Sequence, residues 1–257
     1  MNRINVVSWN VNGLRSVARK GWLNWLEQEQ PDVLCMQEVR VTPEQLDQEL
    51  IEPLEYTSFF ASAEKKGYSG VSVYTRLKPE EVVVGLGDEK FDCEGRTITL
   101  KFKEFTVVNA YFPNGQRDHG RVPYKLDYCA LFREYCQKLR GFGERLILCG
   151  DFNTAHRAID LARPESNKNT TGFLSCERAW VDELLNQGFV DVYRHINGDV
   201  EGHYTWWSNR KGVRERNVGW RIDYFFISPD LISDIKSVKH LSDVRGSDHC
   251  PIKLELG

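Results

Sequence analysis

Ten short runs of β-branched, aromatic and aliphatic residues recur along the chain: INVVSW, DVLCMQ, YTSFFAS, GVSVYTR, EEVVV, RTITLKF, FTVVNAY, RLILC, IDYFFI and PIKLEL. Each is four to eight residues long and bounded by Gly, Pro or charge, the mark of a β-strand. Tyr128, Leu131, Phe132, Tyr135 and Leu139 repeat at helical spacing, with Pro123 where a first turn tolerates it. Further helices are expected over about 177–187, with Ala179, Trp180, Leu184 and Val181 inward, and over about 22–29 and 43–50. Strands outnumber helices but are interspersed with them, which predicts an α/β (α+β) chain of sheets covered by helices. No linker or low-complexity stretch divides residues 1–257, so one domain is expected.

Composition narrows the class. A chain of 257 residues builds a substantial core, and a formal net charge of −3 leaves nucleic-acid binding to a local basic patch. Seven Cys include no C-x-x-C pair, which argues against a zinc cluster, and several sit inside apolar runs as buried free thiols. That points to a reducing compartment, and with no signal-peptide pattern and no apolar run near 18 residues, to a cytoplasmic protein without a membrane span.

The strand ends carry the chemistry. LILCGDFNTAH leads an apolar strand into Asp151 and Asn153, and INVVSWNVNG leads another into Asn10 and Asn12 at the same spacing. DVLCMQEVR ends in Gln37 and Glu38, and VVNAYFPNGQR in Asn109, Tyr111 and Asn114. WRIDYFF buries Asp223 in an apolar strand, and VRGSDHCPI sets Asp248 and His249 before the last one. One such end is ordinary turn chemistry. Repeated along one chain they are not, because a buried carboxylate needs a partner or a metal. Glu38, Asp151, Asp223 and Asp248 beside amides suit a hard cation held through oxygen, Mg²⁺ or Mn²⁺. His249 is the natural general base or transition-state donor. Asn10, Asn12, Asn153 and Tyr111 offer neutral groups to phosphate oxygens. Neither a P-loop nor a G-x-S-x-G elbow is present. The chemistry favoured is metal-assisted phosphodiester hydrolysis.

SWNVNGLR, QE after a strand, YFPNG, CGDFNTAH with IDLARP, NVGWRIDYFF and GSDHCPI together resemble the exonuclease III family of apurinic/apyrimidinic endonucleases, in family order from Ser8 to Ile252. GDFN or SDH alone would fit any DNase I-like phosphoesterase; NVGWRIDYFF is the more specific signal. The resemblance implies a four-layer sandwich, two mixed sheets face to face with helices outside. It implies that Glu38 is the principal metal ligand with Asn10 and Asp248 beside it, and that Asp151 lies near the attacking water or the leaving oxygen. Asn153 and Tyr111 would hold the scissile phosphate, and His249, oriented by Asp223, would contact it. In a two-metal reading Asp151, Asn153 and His249 line a second position. Two departures stand out: Arg40 replaces the Lys common two residues after the metal Glu, and Thr170 stands where some relatives have Asn.

YTWWSNRKGVRERNVGWRIDYFF interleaves aromatics with Arg210, Lys211, Arg214, Arg216 and Arg221, a pattern for neutralising phosphates and lining a base-sized pocket. By resemblance, Trp206, Trp220 and Ile222 line a pocket for a flipped-out abasic sugar. Arg117 and Arg210 enter the grooves, and Asn12, Arg15, Lys66, Tyr68, Asn114, Lys125 and Asn167 contact the DNA backbone. The expected activity is Mg²⁺-dependent cleavage 5′ to abasic sites in duplex DNA by a monomer, with 3′→5′ exonuclease or 3′-phosphodiesterase activity beside it. The rivals are a DNase I-like phosphatase of inositol phosphates or lipids, and a catalytically silent nucleic-acid-binding protein on the same fold.

Overall fold

All ten runs form strands in the computed structural model, which describes residues 3–257. In chain order they are β1 (Ile4–Asn10), β2 (Val33–Gln37), β3 (Thr57–Ala61), β4 (Val71–Thr75), β5 (Glu81–Val84), β6 (Thr97–Lys101), β7 (Thr106–Tyr111) and β8 (Leu146–Asp151). Then follow β9 (Val190–Asp191), β10 (Asp223–Ile227), β11 (Ile235–His240) and β12 (Ile252–Leu256). The sequence reading lacked β9 and β11, for different reasons. Two residues carry no periodicity, and IKSVKH is an edge strand whose lysines face water, as edge strands often do.

The strands form two six-stranded mixed sheets, ordered β11-β12-β1-β2-β4-β3 and β9-β10-β8-β7-β6-β5. Neighbouring residues of one strand face different layers. Val107 and Ile147 point between the sheets, packing with Val6, Val33, Val73 and Leu254 of the other, whereas Val108, Leu146 and Leu148 point outward. The outward face of the second sheet is covered by the helices Val122–Gly141 and Ser175–Asn186, through Tyr128, Phe132, Trp180, Val181 and Leu184. The first sheet is covered by the helices Leu14–Ala18 and Trp22–Glu29, through Leu14, Val17, Trp22 and Leu26. The result is the four-layer sandwich, and it explains the runs without alternation: both faces of each central strand are dry. Two helical expectations need correction. Ala179 is exposed, because the buried stripe runs through Glu177, Trp180, Val181 and Leu184. Residues 43–50 break into a 3₁₀ turn, Pro43–Gln45, and a short helix, Gln48–Ile51.

Polar groups also cross between the sheets. Asn109 Nδ2 donates to the carbonyls of Met36 at 3.1 Å and Ser72 at 3.0 Å, and Gln37 Nε2 donates to Asn109 Oδ1 at 2.8 Å and Ser8 Oγ at 2.9 Å. Gln37 and Asn109 are therefore buried staples that fix how one sheet lies on the other, and they do not reach the surface. Register then gathers the strand ends. Tyr111, Asp151 and Asp223 are direct neighbours across β7, β8 and β10, and Asn10 pairs Gln37 across β1 and β2.

Candidate active site

β1 and β8 hold equivalent places in the two sheets, each between a parallel and an antiparallel partner. Their ends turn alike. Asn12 N donates to Asn10 Oδ1 at 3.0 Å, and Asn153 N donates to Asp151 Oδ1 at 2.8 Å. Asn12 and Asn153 both adopt left-handed backbone, φ 48° and 47°, which Asn tolerates better than most residues. The sequence echo is thus one local structure used twice, and the copies meet: Asn10 Nδ2 donates to Asp151 Oδ2 at 2.9 Å across the sheets.

Beside Asp151 stands His249. Its Nδ1 lies 2.9 Å from Asp223 Oδ2, and its Nε2 lies 3.8 Å from Asp151 Oδ2. Thr205 fixes Asp223 in turn: its hydroxyl donates to Asp223 Oδ2 at 2.5 Å and accepts from the Asp223 and Ile222 amides, each at 3.1 Å. All four residues are buried. Burial alone would lower the His249 pKa, but Asp223 and then Asp151 overcome it and raise it to about 10. Burial raises Asp151 to about 7, with the His249 charge opposing and Asp223 reinforcing, before any cation adds its field. His249 is thus an imidazolium donor at neutral pH, and Asp151 a carboxylate with raised proton affinity.

Asp151, Asp223 and His249 bring ligand atoms within 4.8 Å of one another, a spacing that suits a metal. Asp223 and Nδ1 are already engaged with each other, and a protonated Nε2 has no lone pair to offer, so of this trio Asp151 alone is free to hold a cation. The cation-holding chemistry lies one step away. Glu38, at φ 54°, takes Asn10 Nδ2 on one oxygen at 3.1 Å and Arg40 Nη2 on the other at 2.5 Å. Asp248 takes Asn12 Nδ2 at 2.9 Å and Trp206 Nε1 at 3.1 Å. Burial opposes the Asp248 charge, but His249 and these donors hold its pKa below the ordinary carboxylate value. Glu38, Asp151 and Asp248 thus line one cleft with Asp223 behind His249, four carboxylates against three cations, Arg40, His249 and, at the mouth, Arg117. A hard divalent cation fits this surplus of oxygen and charge, and an anionic substrate needs it. Tyr111 stays a neutral donor: burial first, then Glu38, push its pKa up, and the Arg96 guanidinium stacks 4.8 Å from its ring.

The cleft encloses about 480 Å³ and is lined by Asn12, Glu38, Tyr111, Asn153, Asp248 and His249 on its polar side and Trp206, Trp220 and Ile222 on its apolar side. The Trp206 and Trp220 rings meet edge to face at 6.3 Å, and Trp206 stands 6.4 Å from the His249 ring. Arg117, Asn114 and Thr170 sit at its exposed mouth. Arg15, Lys66 and Arg210 are exposed outside it, and Asn167, partly buried, donates to the Arg163 carbonyl at 2.7 Å. Tyr68 is half-buried; its hydroxyl accepts from Arg96 at 2.9 Å and Arg121 at 2.7 Å, which leaves its own proton free to donate.

Three basic residues need correction. Lys125, expected at the DNA backbone, is fully buried and donates to the Asn153 carbonyl and to Glu177 Oε1, each at 2.7 Å. Arg221 is fully buried, paired with Asp160 at 2.8 Å and Asp191 at 2.7 Å. Arg214 stacks on Trp207 at 4.5 Å and donates to the carbonyls of Ser242, Val244 and Ser247, pinning the loop before Asp248. Arg210, Lys211 and Arg216 remain as the exposed cations of this segment. Sequence reading missed Thr205, Glu177 and the Phe112 carbonyl, which accepts from Asn153 Nδ2 at 3.0 Å. A Thr among aromatics, an acid in a helix's first turn and a main-chain oxygen carry no distinguishing signal.

Fold and cleft define the class, a phosphoesterase sandwich with its acids pooled at the sheet ends. Residues 7–249 match the Endonuclease/Exonuclease/phosphatase family. The chain is 43% identical over 252 residues to an exodeoxyribonuclease of Bacillus subtilis, covering 98% of both chains. It is 43% identical over 254 residues to a DNA-(apurinic or apyrimidinic site) endonuclease of Dictyostelium discoideum, covering 98% of this chain and 70% of the relative. The structure superposes on an AP endonuclease from Archaeoglobus fulgidus with a TM-score of 0.89 and 31% identity, covering 98% of this chain and 99% of that one. The chain belongs to the Endonuclease/Exonuclease/phosphatase family, within its exonuclease III-type branch of DNA-repair nucleases.

Proposed function

We propose that this protein is a Mg²⁺-dependent nuclease that hydrolyses the phosphodiester 5′ to an abasic site in duplex DNA, leaving a 3′-hydroxyl and a 5′-deoxyribose phosphate. Some 3′→5′ exonuclease or 3′-phosphodiesterase activity accompanies it, and Mn²⁺ substitutes for Mg²⁺. The observation that carries this reading is the cleft itself, where an acid–amide–imidazole wall faces an apolar wall of Trp206, Trp220 and Ile222 across about 480 Å³. The first wall suits a phosphate, the second a deoxyribose without its base, and flipping is easiest where the base is missing.

Glu38, Asn10 and Asp248 would hold the cation; Asp151, Asn153 and His249 would line a second position if two are bound. When bound, the cation neutralises charge on the scissile phosphate and its leaving oxygen. The chain's own groups supply the rest. Asp151, raised toward neutrality by burial, accepts the proton of the attacking water. His249 Nε2, kept protonated by Asp223, donates to the phosphate, as do Tyr111 and Asn153. Arg117 and Arg210 would enter the grooves, and Asn12, Arg15, Lys66, Tyr68, Asn114 and Asn167 would contact the flanking phosphates. We read the whole chain as one catalytic domain working as a monomer in the cytoplasm, at the nucleoid. Its seven free thiols, five of them buried, are consistent with that compartment. Among the described residues no helix is long and apolar enough to cross a membrane.

The deciding experiment uses a duplex with one tetrahydrofuran abasic analogue, which cannot undergo β-elimination. With Mg²⁺ a single cut 5′ to the analogue is expected, and none after chelation. Glu38→Gln should need much more Mg²⁺ to reach the same rate. An uncut duplex together with turnover of soluble inositol phosphates would overturn the reading in favour of a phosphatase; DNA binding without cleavage of either would leave a silent binding protein.

A further inference from the structure

Glu177 lies in the first turn of the helix Ser175–Asn186, away from the cleft, yet it is fully buried and takes four donors. Its Oε1 accepts from Lys125 Nζ at 2.7 Å and Thr171 Oγ1 at 2.9 Å, and its Oε2 from the amides of Gly172 at 2.6 Å and Leu174 at 3.3 Å. Thr171 and Gly172 line the cleft. Lys125, equally buried, carries the link onward to the Asn153 carbonyl at 2.7 Å. Gly172 is wedged between the two functional walls. A methyl group there would lie 3.1 Å from the Asn153 oxygen and 3.3 Å from the Trp220 ring, and its φ of 89° already favours glycine. Its own carbonyl accepts from the Ala155 amide at 2.8 Å.

A buried ion pair is a weak source of stability, since well-packed apolar residues often serve as well. What an apolar pair cannot do here is hold a backbone oxygen on one side and two backbone amides on the other. From this geometry we infer that Lys125 and Glu177 are positioning residues that set the phosphate side of the cleft, through Asn153, and its apolar side, through Gly172 and Trp220, in one common register. Loss of the pair lowers turnover and lesion selectivity together, although neither side chain touches DNA. The inference rests on the abasic-site reading above for the word lesion, and on the geometry alone for the coupling.

The test compares wild type, Lys125→Met and the double variant Lys125→Met/Glu177→Gln. Lys125→Met leaves the Glu177 charge buried alone, so both Tm and kcat fall. The double variant removes that charge. The one amide oxygen of Glu177→Gln takes the place of Oε2 and still accepts from the Gly172 and Leu174 amides, while its NH2 donates to the Thr171 hydroxyl, so Tm recovers. Asn153 remains without its lysine donor. Turnover on the tetrahydrofuran duplex stays about tenfold or more below wild type, with KM changed less, as displacement of a positioned group predicts. The abasic-to-intact cleavage ratio falls with it, and the ¹⁵N–¹H resonances of Asn153 and Gly172 both move. Recovery of kcat and ratio together with Tm would show a merely structural pair. A fall in kcat with the ratio and the Gly172 resonance unmoved would overturn the coupling. If wild type shows no preference for the abasic duplex, the functional reading fails instead, and nucleotide release from intact duplex ends with the two resonances still judges the pair.

Discussion

Two buried charge clusters lie two residues apart on one segment, Arg221 in one and Asp223 in the other. In the first, Arg194 and Arg221 meet Asp160 and Asp191, two cations with two anions, all buried. In the second, the four carboxylates Glu38, Asp151, Asp223 and Asp248 meet Arg40, His249 and, at the cleft mouth, Arg117. The balanced cluster satisfies itself and holds Asp160 at a pKa of about 2: burial would raise it, but Arg221 and Arg194 prevail. In the unbalanced cluster burial prevails, with Asp223 reinforcing it against His249, and Asp151 is raised to about 7. Burial of charge therefore does not mark a functional site; what marks this one is charge left uncompensated beside a cleft.

Removing one acid from each cluster should separate the two kinds. Asp160→Asn takes the carboxylate from Arg194 and leaves Arg221 with Asp191 alone, two buried cations to one anion, and unfolding free energy should fall by about 3–5 kcal/mol. Denaturant melts measure this, and kcat of the folded remainder should stay within a few-fold of wild type. Asp151→Asn should do the reverse, cutting kcat by about 10²–10³-fold while Tm holds or rises, because a strained charge is gone. His249→Ala should lose turnover on a similar scale while abasic DNA still binds. If Tm and kcat fell in proportion in either variant, these residues would be structural.

Acid sharpens the contrast. The Asp160 pKa is lowered from 3.8 to about 2 on folding, so the stability it confers is full above about pH 4 and is lost as pH falls toward 2. The window holds about 2 kcal/mol. The stability gap between wild type and Asp160→Asn should narrow across that interval and stay flat between pH 5 and 8. A gap independent of pH would mean the arginines do not depress this carboxyl. The smallest effect belongs to the apolar wall. Trp220→Ala should lose contacts worth about 1–3 kcal/mol and lower the ratio of kcat/KM on abasic over intact duplex. An unchanged ratio in a folded variant would return Trp220 to the core.

How legible each cluster is follows from its surroundings. Asn10, Glu38, Asp151, Asp223, Asp248 and His249 can be found because each interrupts or ends an apolar strand, where chance seldom puts a charge. Arg221 interrupts the same pattern, but beside Lys211, Arg214 and Arg216 it reads as part of a basic loop, and only folding brings Asp160 and Asp191 to it. Lys125 misleads for a related reason: lysines on amphipathic helices nearly always face water, and its partner lies 52 positions on. The sheets are legible through their dry central strands, whereas β9 and β11, short or wet, are not.

The two sheets are closed at different points along the chain. β5 to β10 complete one sheet while the other still lacks β11 and β12, and β12 is the antiparallel neighbour of β1. Asp248 and His249 emerge only just before β12. The chain through β10 carries Glu38, Asp151 and Asp223 but not the imidazole that stands between Asp151 and Asp223, and β1 has β2 on one side only. The imidazole and the second neighbour of β1 are therefore carried by one short stretch, so a break before Asp248 would take the proton donor and the seat of β1 away together.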